Sequence, residues 1–221
     1  MKPHQLIRAP ILDRESFLVE ASRGKSVLHL GCADAPYSQC RATAGTLLHA
    51  RLAAVAKEIV GIDIDEDGIK FLMNLGFKDV FLSNVETLSD LTLGRTFDVV
   101  VAGELLEHLA NPGLCLTGVR DLLRMDSSLL ITVPNAFSLK GFMRVIGGVE
   151  LIHPDHVAYF SMVTMRRLLE SCGYSMVSHA YYVSRSASRL KRVADTLVLG
   201  PIRRLAPYLS DGLIVEAKLV Q

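Results

Sequence analysis

Three histidines in this chain stand where proton chemistry could use them. His153 and His156 are three residues apart in His153-Pro-Asp-His-Val, and His108 follows Glu107 in Glu107-His-Leu-Ala-Asn-Pro-Gly113. A neutral imidazole with an ordinary pKa of ~6.5 can take the proton of a hydroxyl near neutral pH. His156 lies past the fifth apolar run and is the first candidate for a catalytic base; His108 is the second. A loop histidine bonded to backbone is the alternative for His156, and a capping or supporting role the alternative for His108. The pair His153 and His156 has a spacing found among metal ligands, yet the sequence puts no third ligand beside it, so no metal is expected. His29 reads as buried in a strand, and His4, His49 and His179 have no context beyond packing or surface roles.

The elements that must position these residues are legible as short apolar runs. Residues 26–30, 59–63, 97–102 and 128–133 are apolar, non-alternating and β-branched, with 79–82 a weaker example. Such runs suit parallel strands covered on both faces. Helical spacing over 41–57, 65–75 and 112–124 places helices between them. Alternating strands and helices with short connections imply a doubly wound, mostly parallel α/β sheet with right-handed crossovers. A helix over 161–172, capped by Ser161 and stopped by Gly173, follows. Two late strands, 174–183 and 212–220, then predict an antiparallel C-terminal edge.

In such a sheet, ligands sit beyond the carboxyl ends of the strands. Gly31, followed by Cys32, closes the first strand and lets backbone approach a ligand without a Cβ in the way. Asp63, followed by Ile64, closes the second. A carboxylate there can accept both hydroxyl protons of a ribose, or serve as a helix-start acid favoured by the macrodipole. Asn84, Val85 and Glu86 follow the third strand and could read the edge of a base, and Gly103 leaves the fourth. No G-x-G-x-x-G follows the first strand, which argues against a nicotinamide dinucleotide, whose pyrophosphate needs that close approach.

Taken in order, these features resemble the motif series of class I S-adenosylmethionine-dependent methyltransferases, over about residues 26–133. The segments around Glu107-His108 and His153-Pro-Asp-His156 are similar to those of members acting on small molecules and glycans. The resemblance implies S-adenosyl-L-methionine as cofactor, with Gly31 and Cys32 at its methionine part and Gly103 beside them. It also implies Asp63 on the ribose, Ile64 flanking the adenine, and Asn84, Val85 and Glu86 on its edge. Two positions depart from the pattern: His29 stands where an acid is common, and Ala35-Pro36 where a third glycine is. Asp34 or a backbone carbonyl would then hold the amino group. The implied activity is O-methylation of a saccharide or small hydroxylated metabolite. A non-catalytic cofactor-binding scaffold, and a methyltransferase acting on a lipid-linked acceptor at a membrane surface, are the alternatives.

Half of the 221 residues are hydrophobic and mean hydropathy is +0.31, enough for one buried core. A single domain over 1–221 is expected: an N-terminal extension (1–25), a cofactor-binding half (26–133) and an acceptor-side half (134–221). A net charge of +1 leaves no whole-chain footprint for nucleic acid. Residues 183–208, however, set six cations against Asp195 alone. That pattern fits an amphipathic helix with a solvated cationic face or an interfacial helix meeting anionic lipid. The apolar, glycine-interrupted stretch 137–152 reads as a cover for the acceptor or as an ordinary packed helix. Four cysteines without paired spacing, no apolar run of ~18 residues and an N-terminus too broken for a signal peptide predict a cytoplasmic protein.

Overall fold

The computed structural model describes residues 4–90, 93–184 and 189–220. Its frame is one eight-stranded sheet. The strands are β1 (Ile11–Leu12), β2 (Ser26–Leu30), β3 (Glu58–Asp63), β4 (Val80–Leu82), β5 (Phe97–Gly103), β6 (Leu123–Pro134), β7 (Tyr174–Tyr182) and β8 (Gly212–Leu219). They lie side by side in the order β1-β7-β8-β6-β5-β2-β3-β4. All the pairings are parallel except those of β8, which runs antiparallel to both β6 and β7. The expected antiparallel pairing at the C-terminal end is thus carried by the last strand, inserted between two others.

The non-alternating apolar runs have the predicted cause. Along β2, all five residues are buried. Leu28 and Leu30 face one layer with Ile62, Val100 and Ile131, and Val27 faces the other with Val99, Val101 and Leu130. Helix α5 (Pro112–Arg120) and helix α7 (Met162–Ser171) cover the first face through Leu116, Val119, Met165 and Leu169. Helix α1 (Arg14–Ala21) and helix α3 (Leu48–Ala53) cover the second through Leu18, Leu48 and Leu52. Strands buried on both sides have no polar face to show, so periodicity of two disappears from their sequence.

Several boundaries differ from the expectation for local reasons. The helix expected over 41–57 is two short ones, α2 (Ser38–Thr43) and α3, because Gly45 breaks it at φ +67°. Helix α4 (Glu66–Asn74) fills the predicted 65–75 and is capped by Asp65, whose carboxylate accepts the Gly68 N–H at 2.8 Å. The helix expected over 112–124 ends at Arg120, since β6 already begins at Leu123. Ser161 caps α7, as the sequence suggested, and Thr164 completes a capping box that the sequence reading did not include. The expected N-terminal extension contributes to the fold: β1 adds to the sheet beside β7, and Asp13 caps α1 by accepting the Ser16 N–H at 3.0 Å.

On the acceptor side, helix α6 (Leu139–Ile146) occupies part of 137–152, and none of its residues is buried. It is therefore a rim and not a core-packed helix. The basic segment contains helix α8 (Arg189–Leu205); residues 185–188 lie outside the described residues. Arg203 of α8 is buried between Asp195 (2.7 Å) and Asp211 (3.0 Å), so it belongs to no solvated cationic face, whereas Arg204 is exposed. Among the described residues, no helix is long and apolar enough to cross a membrane.

Candidate active site

Register alone brings four of the predicted positions into one row. Leu30 pairs with Ile62 on one side and Ala102 on the other, so Gly31, Asp63 and Gly103 close three adjacent strands. Asp63 pairs with Leu82, which puts Asn84 just beyond the fourth. Three strand spacings of ~4.8 Å make this row roughly 14 Å long. Gly31 sits at φ +72°, in the left-handed region, and a Cβ there would lie 3.2 Å from Leu105 Cδ1. Both the turn and the close approach therefore need glycine.

Asp63 is clamped at the middle of the row. Its Oδ2 accepts the Ala33 N–H at 2.8 Å and its Oδ1 the Asp65 N–H at 3.0 Å. Each oxygen keeps a further lone pair. The helix-start alternative for Asp63 is filled by Asp65, the actual cap of α4. Ile64, beside it, is 69% exposed, an apolar side chain left at the rim where a flat apolar ring could lie. Asn84 Oδ1 accepts the Glu86 N–H at 2.9 Å. Glu86 in turn accepts the Asn111 N–H, which ties the turn after β4 to the start of α5. Val85 is buried in the core, so only its backbone can serve a ligand. Cys32 is also buried, its Sγ against Gly61, and burial pushes its thiol far above the usual range. The side chains of Cys32 and Val85 do not join the row.

The loop after β5 carries the second group. Glu104, at φ +55°, accepts the Tyr182 hydroxyl proton. Gly212 makes room for that ring, since a Cβ at Gly212 would lie 1.9 Å from it. Glu107 is fully buried, with no hydrogen-bond partner for either carboxylate oxygen among the described residues. Burial and then the neighbouring Glu104 push its pKa up to about 9, so it is a neutral acid at pH 7. The Glu107 carbonyl accepts the N–H groups of Val157 (2.9 Å) and Ala158 (3.2 Å), which docks the 153–158 segment onto this loop. His108 is thereby brought to both downstream histidines. Ring centroids are 4.5 Å apart for His108 and His156, 5.4 Å for His108 and His153, and 5.3 Å for His153 and His156. Burial, followed by the charge of neighbouring imidazoles, lowers the pKa of His108 and of His156.

His153 and His156 open onto a cleft of about 1350 Å3 under α6. Phe137, Phe142, Val145, Ile152 and Tyr159 line it, and Lys140 holds α6 to the base through Asp211 (2.9 Å) and Asp195 (3.1 Å). His108 lies in the loop that follows Gly103, so the histidines stand at the carboxyl end of β5, the same end of the sheet as the row.

The family profile described as a methyltransferase domain matches residues 4–179, four fifths of the chain. The chain belongs to that methyltransferase family. Relatives of this methyltransferase include the ubiquinone biosynthesis O-methyltransferase of Haemophilus ducreyi, 28% identical over 137 residues, 58% of this chain and 53% of that protein. The protein of the same name from Actinobacillus pleuropneumoniae serotype 5b is 26% identical over 152 residues, 68% and 63%. The chain spans about half the length of the first of these relatives. Among solved structures, a SAM-dependent methyltransferase from Archaeoglobus fulgidus superposes with a TM-score of 0.60 at 22% identity, covering 93% of this chain and 91% of that one. The N-methyltransferase NodS from Bradyrhizobium japonicum, solved with S-adenosyl-L-homocysteine, gives 0.57 at 15%, covering 94% and 86%. The fold is that of SAM-dependent methyltransferases.

Beside the row, the methyltransferase carries residues that the sequence did not single out. Arg14, on α1, lies 5.9 Å above the Tyr182 ring and 3.5 Å from Thr132 Oγ1, close enough to influence Glu107, Asp34 and His29. It sets a cation near the Gly103 end of the row, since Thr132 pairs with Gly103. The readable signal was Asp13 three residues before Ser16, a helix start within a stretch taken as an extension.

Where family members commonly have an acid, His29 is indeed buried, against His49: the two Nδ1 atoms are 3.3 Å apart and the rings are stacked. Burial lowers the pKa of His49 to about 4, and burial, then His49 and Arg14, pushes His29 well down. Both are neutral when folded and titrate near 6.5 when unfolded. The unfolded chain therefore binds more protons below that pH. The pair's contribution is full above pH ~6.5 and is lost as pH falls toward 4; for His49 alone the shift corresponds to roughly 3 kcal/mol. Thermal unfolding followed from pH 7.5 to 4.5 should show a steep loss that flattens in His49→Gln. Equal slopes in the two proteins would contradict the assignment.

Proposed function

We propose that this methyltransferase carries the methyl group of S-adenosyl-L-methionine to a hydroxyl oxygen of a small acceptor held in the cleft under α6. The observation that carries this reading is the row of strand ends running from Asn84 through Asp63 and Gly31 to Gly103, on the strand whose following loop carries His108. The cofactor supplies an already activated methyl, bonded to a sulfonium sulfur that leaves as a thioether. This chain's residues then have three tasks. Asp63 accepts the ribose hydroxyls, with Ile64 against the base and the Asn84–Glu86 turn at its edge. Arg14 faces the carboxylate of the methionine part, and Gly31 lets that part lie close to backbone. His156, facing the cleft with His108 behind it, takes the acceptor's hydroxyl proton. Alignment of the two reactants does the rest.

Phe137, Phe142 and Ile152 offer an apolar wall against which a hydroxylated ring could lie, with Asn135 and Ser138 among the polar groups beside it. The O-methyltransferase names of the relatives point the same way.

A thermal shift tests cofactor choice. S-adenosylmethionine at ~100 times its Kd adds ~2.7 kcal/mol, and a chain of this size gains about 2–4 °C per kcal/mol. A rise of roughly 5–11 °C is expected with S-adenosylmethionine or S-adenosylhomocysteine and none with NAD. Stabilisation by NAD alone would overturn the reading.

A further inference from the structure

We propose that His108, His153 and His156 together form a binding site for one divalent transition-metal ion, of the zinc or cobalt type, with an open position facing the cleft. One donor atom from each of the three side chains falls within 4.8 Å of the other two. Nitrogen ligands ~2.1 Å from a tetrahedral metal lie roughly 3.4 Å apart, so small side-chain rotations close the set. The backbone already fixes both segments: Val157 and Ala158 donate to the Glu107 carbonyl, and the His156 N–H donates to the His153 carbonyl at 3.1 Å.

The surroundings suit ligation. His153 Nδ1 accepts the Asp155 N–H at 3.4 Å, and an Asp155 carboxylate oxygen stands 3.6 Å from the same nitrogen, placed to accept from it once Nε2 binds a metal and the ring proton moves to Nδ1. A carboxylate on the far nitrogen is the usual partner of a metal-bound imidazole, fixing its tautomer and raising its basicity. Three imidazoles without a bound carboxylate favour zinc, cobalt, nickel or iron over magnesium or calcium, which prefer oxygen ligands. His153 and His156 both line the acceptor cleft, so the remaining coordination position points to where an acceptor oxygen would arrive. Three protein ligands with one place left is the arrangement of catalytic and not of structural zinc sites.

The site's role, unlike its existence, rests on the proposed methyl transfer. With the ion bound, His156 is a ligand, and the deprotonation assigned to it falls to the ion. The acceptor's oxygen binds the metal as its anion and its proton leaves to water.

The test is binding of the metal alone to the full chain. Cobalt(II) titrated into the protein should give a ligand-field absorption band saturating at one ion per chain, displaced by zinc and untouched by magnesium. His108→Asn and His153→Asn should each weaken cobalt binding by more than the roughly 100-fold that losing an outer partner can cost. Both variants should keep the thermal shift with S-adenosylhomocysteine, which shows that they fold. Cobalt binding that is absent, or equal in the wild type and both variants, overturns the site. That result alongside a normal thermal shift leaves the methyltransferase reading standing; loss of the thermal shift in the wild type, with cobalt still bound, does the reverse.

Discussion

Asp63→Ala should weaken binding of S-adenosylhomocysteine by at least about 100-fold while leaving the chain folded. The carboxylate is placed to receive two ribose hydroxyls, and a hydrogen bond to a charged group contributes ~1.5–3 kcal/mol. Losing two such bonds is a loss of about 3 kcal/mol or more. The same substitution frees the Ala33 and Asp65 N–H groups that Asp63 now accepts, so the loop after β2 loses its clamp as well. The core strands around it do not depend on that clamp: Leu30, Ile62 and Ala102 remain buried and paired. Calorimetric titration gives the affinity, and the melting curve without ligand checks the fold. Unchanged affinity in a folded Asp63→Ala protein would remove Asp63 from the site.

The second large effect concerns turnover. His156→Ala should lower kcat by about 10²–10⁴-fold, the range that a positioned proton acceptor supplies, and should leave affinity for S-adenosylhomocysteine within about twofold of wild type. His156 lines the acceptor cleft and none of the four row residues does, so its loss is felt by the acceptor and not by the cofactor. His108→Ala should fall in the same direction, since its ring packs edge-on against His156 at 4.5 Å and steadies it. Release of S-adenosylhomocysteine, measured with a hydroxylated aromatic acceptor that the wild type turns over, reads the effect. Full turnover by His156→Ala with that acceptor would exclude it from proton transfer.

The sheet was legible because burial on both faces writes itself into composition. Runs such as 26–30 and 97–102 have no place on a half-exposed surface, and each stopped at a glycine or an acid that the register then aligned. The helical segments were read less well where a single residue overrides spacing: Gly45 at φ +67° divides the helix expected over 41–57. Row residues with a backbone or strand-end reason, Gly31, Asp63 and Asn84, could be found from sequence, whereas Cys32 and Val85 proved to spend their side chains on the core.

The histidine cluster shows what sequence cannot carry. His108 lies 45 residues before His153, and nothing local announces that the Glu107 carbonyl will bind Val157 and Ala158 and bring them together. The argument for expecting no metal was that no third ligand stands beside the pair in sequence, and His108 comes next to it only in space. Glu107 was likewise visible only as part of a motif. Its full burial, and its lack of hydrogen-bond partners among the described residues, depend on packing around the loop after β5. Arg14 went unread because its helix is short and its apolar residues Phe17, Leu18 and Val19 are consecutive, so no helical spacing marks a buried face.

The most direct measurement is a crystal structure of the chain with S-adenosylhomocysteine. The ribose hydroxyls should lie within about 3 Å of the Asp63 carboxylate, the adenine between Ile64 and the Asn84–Glu86 turn, and the sulfur between Gly31 and Gly103, facing the histidines. A ligand bound elsewhere, or one whose ribose leaves Asp63 untouched, would contradict the account.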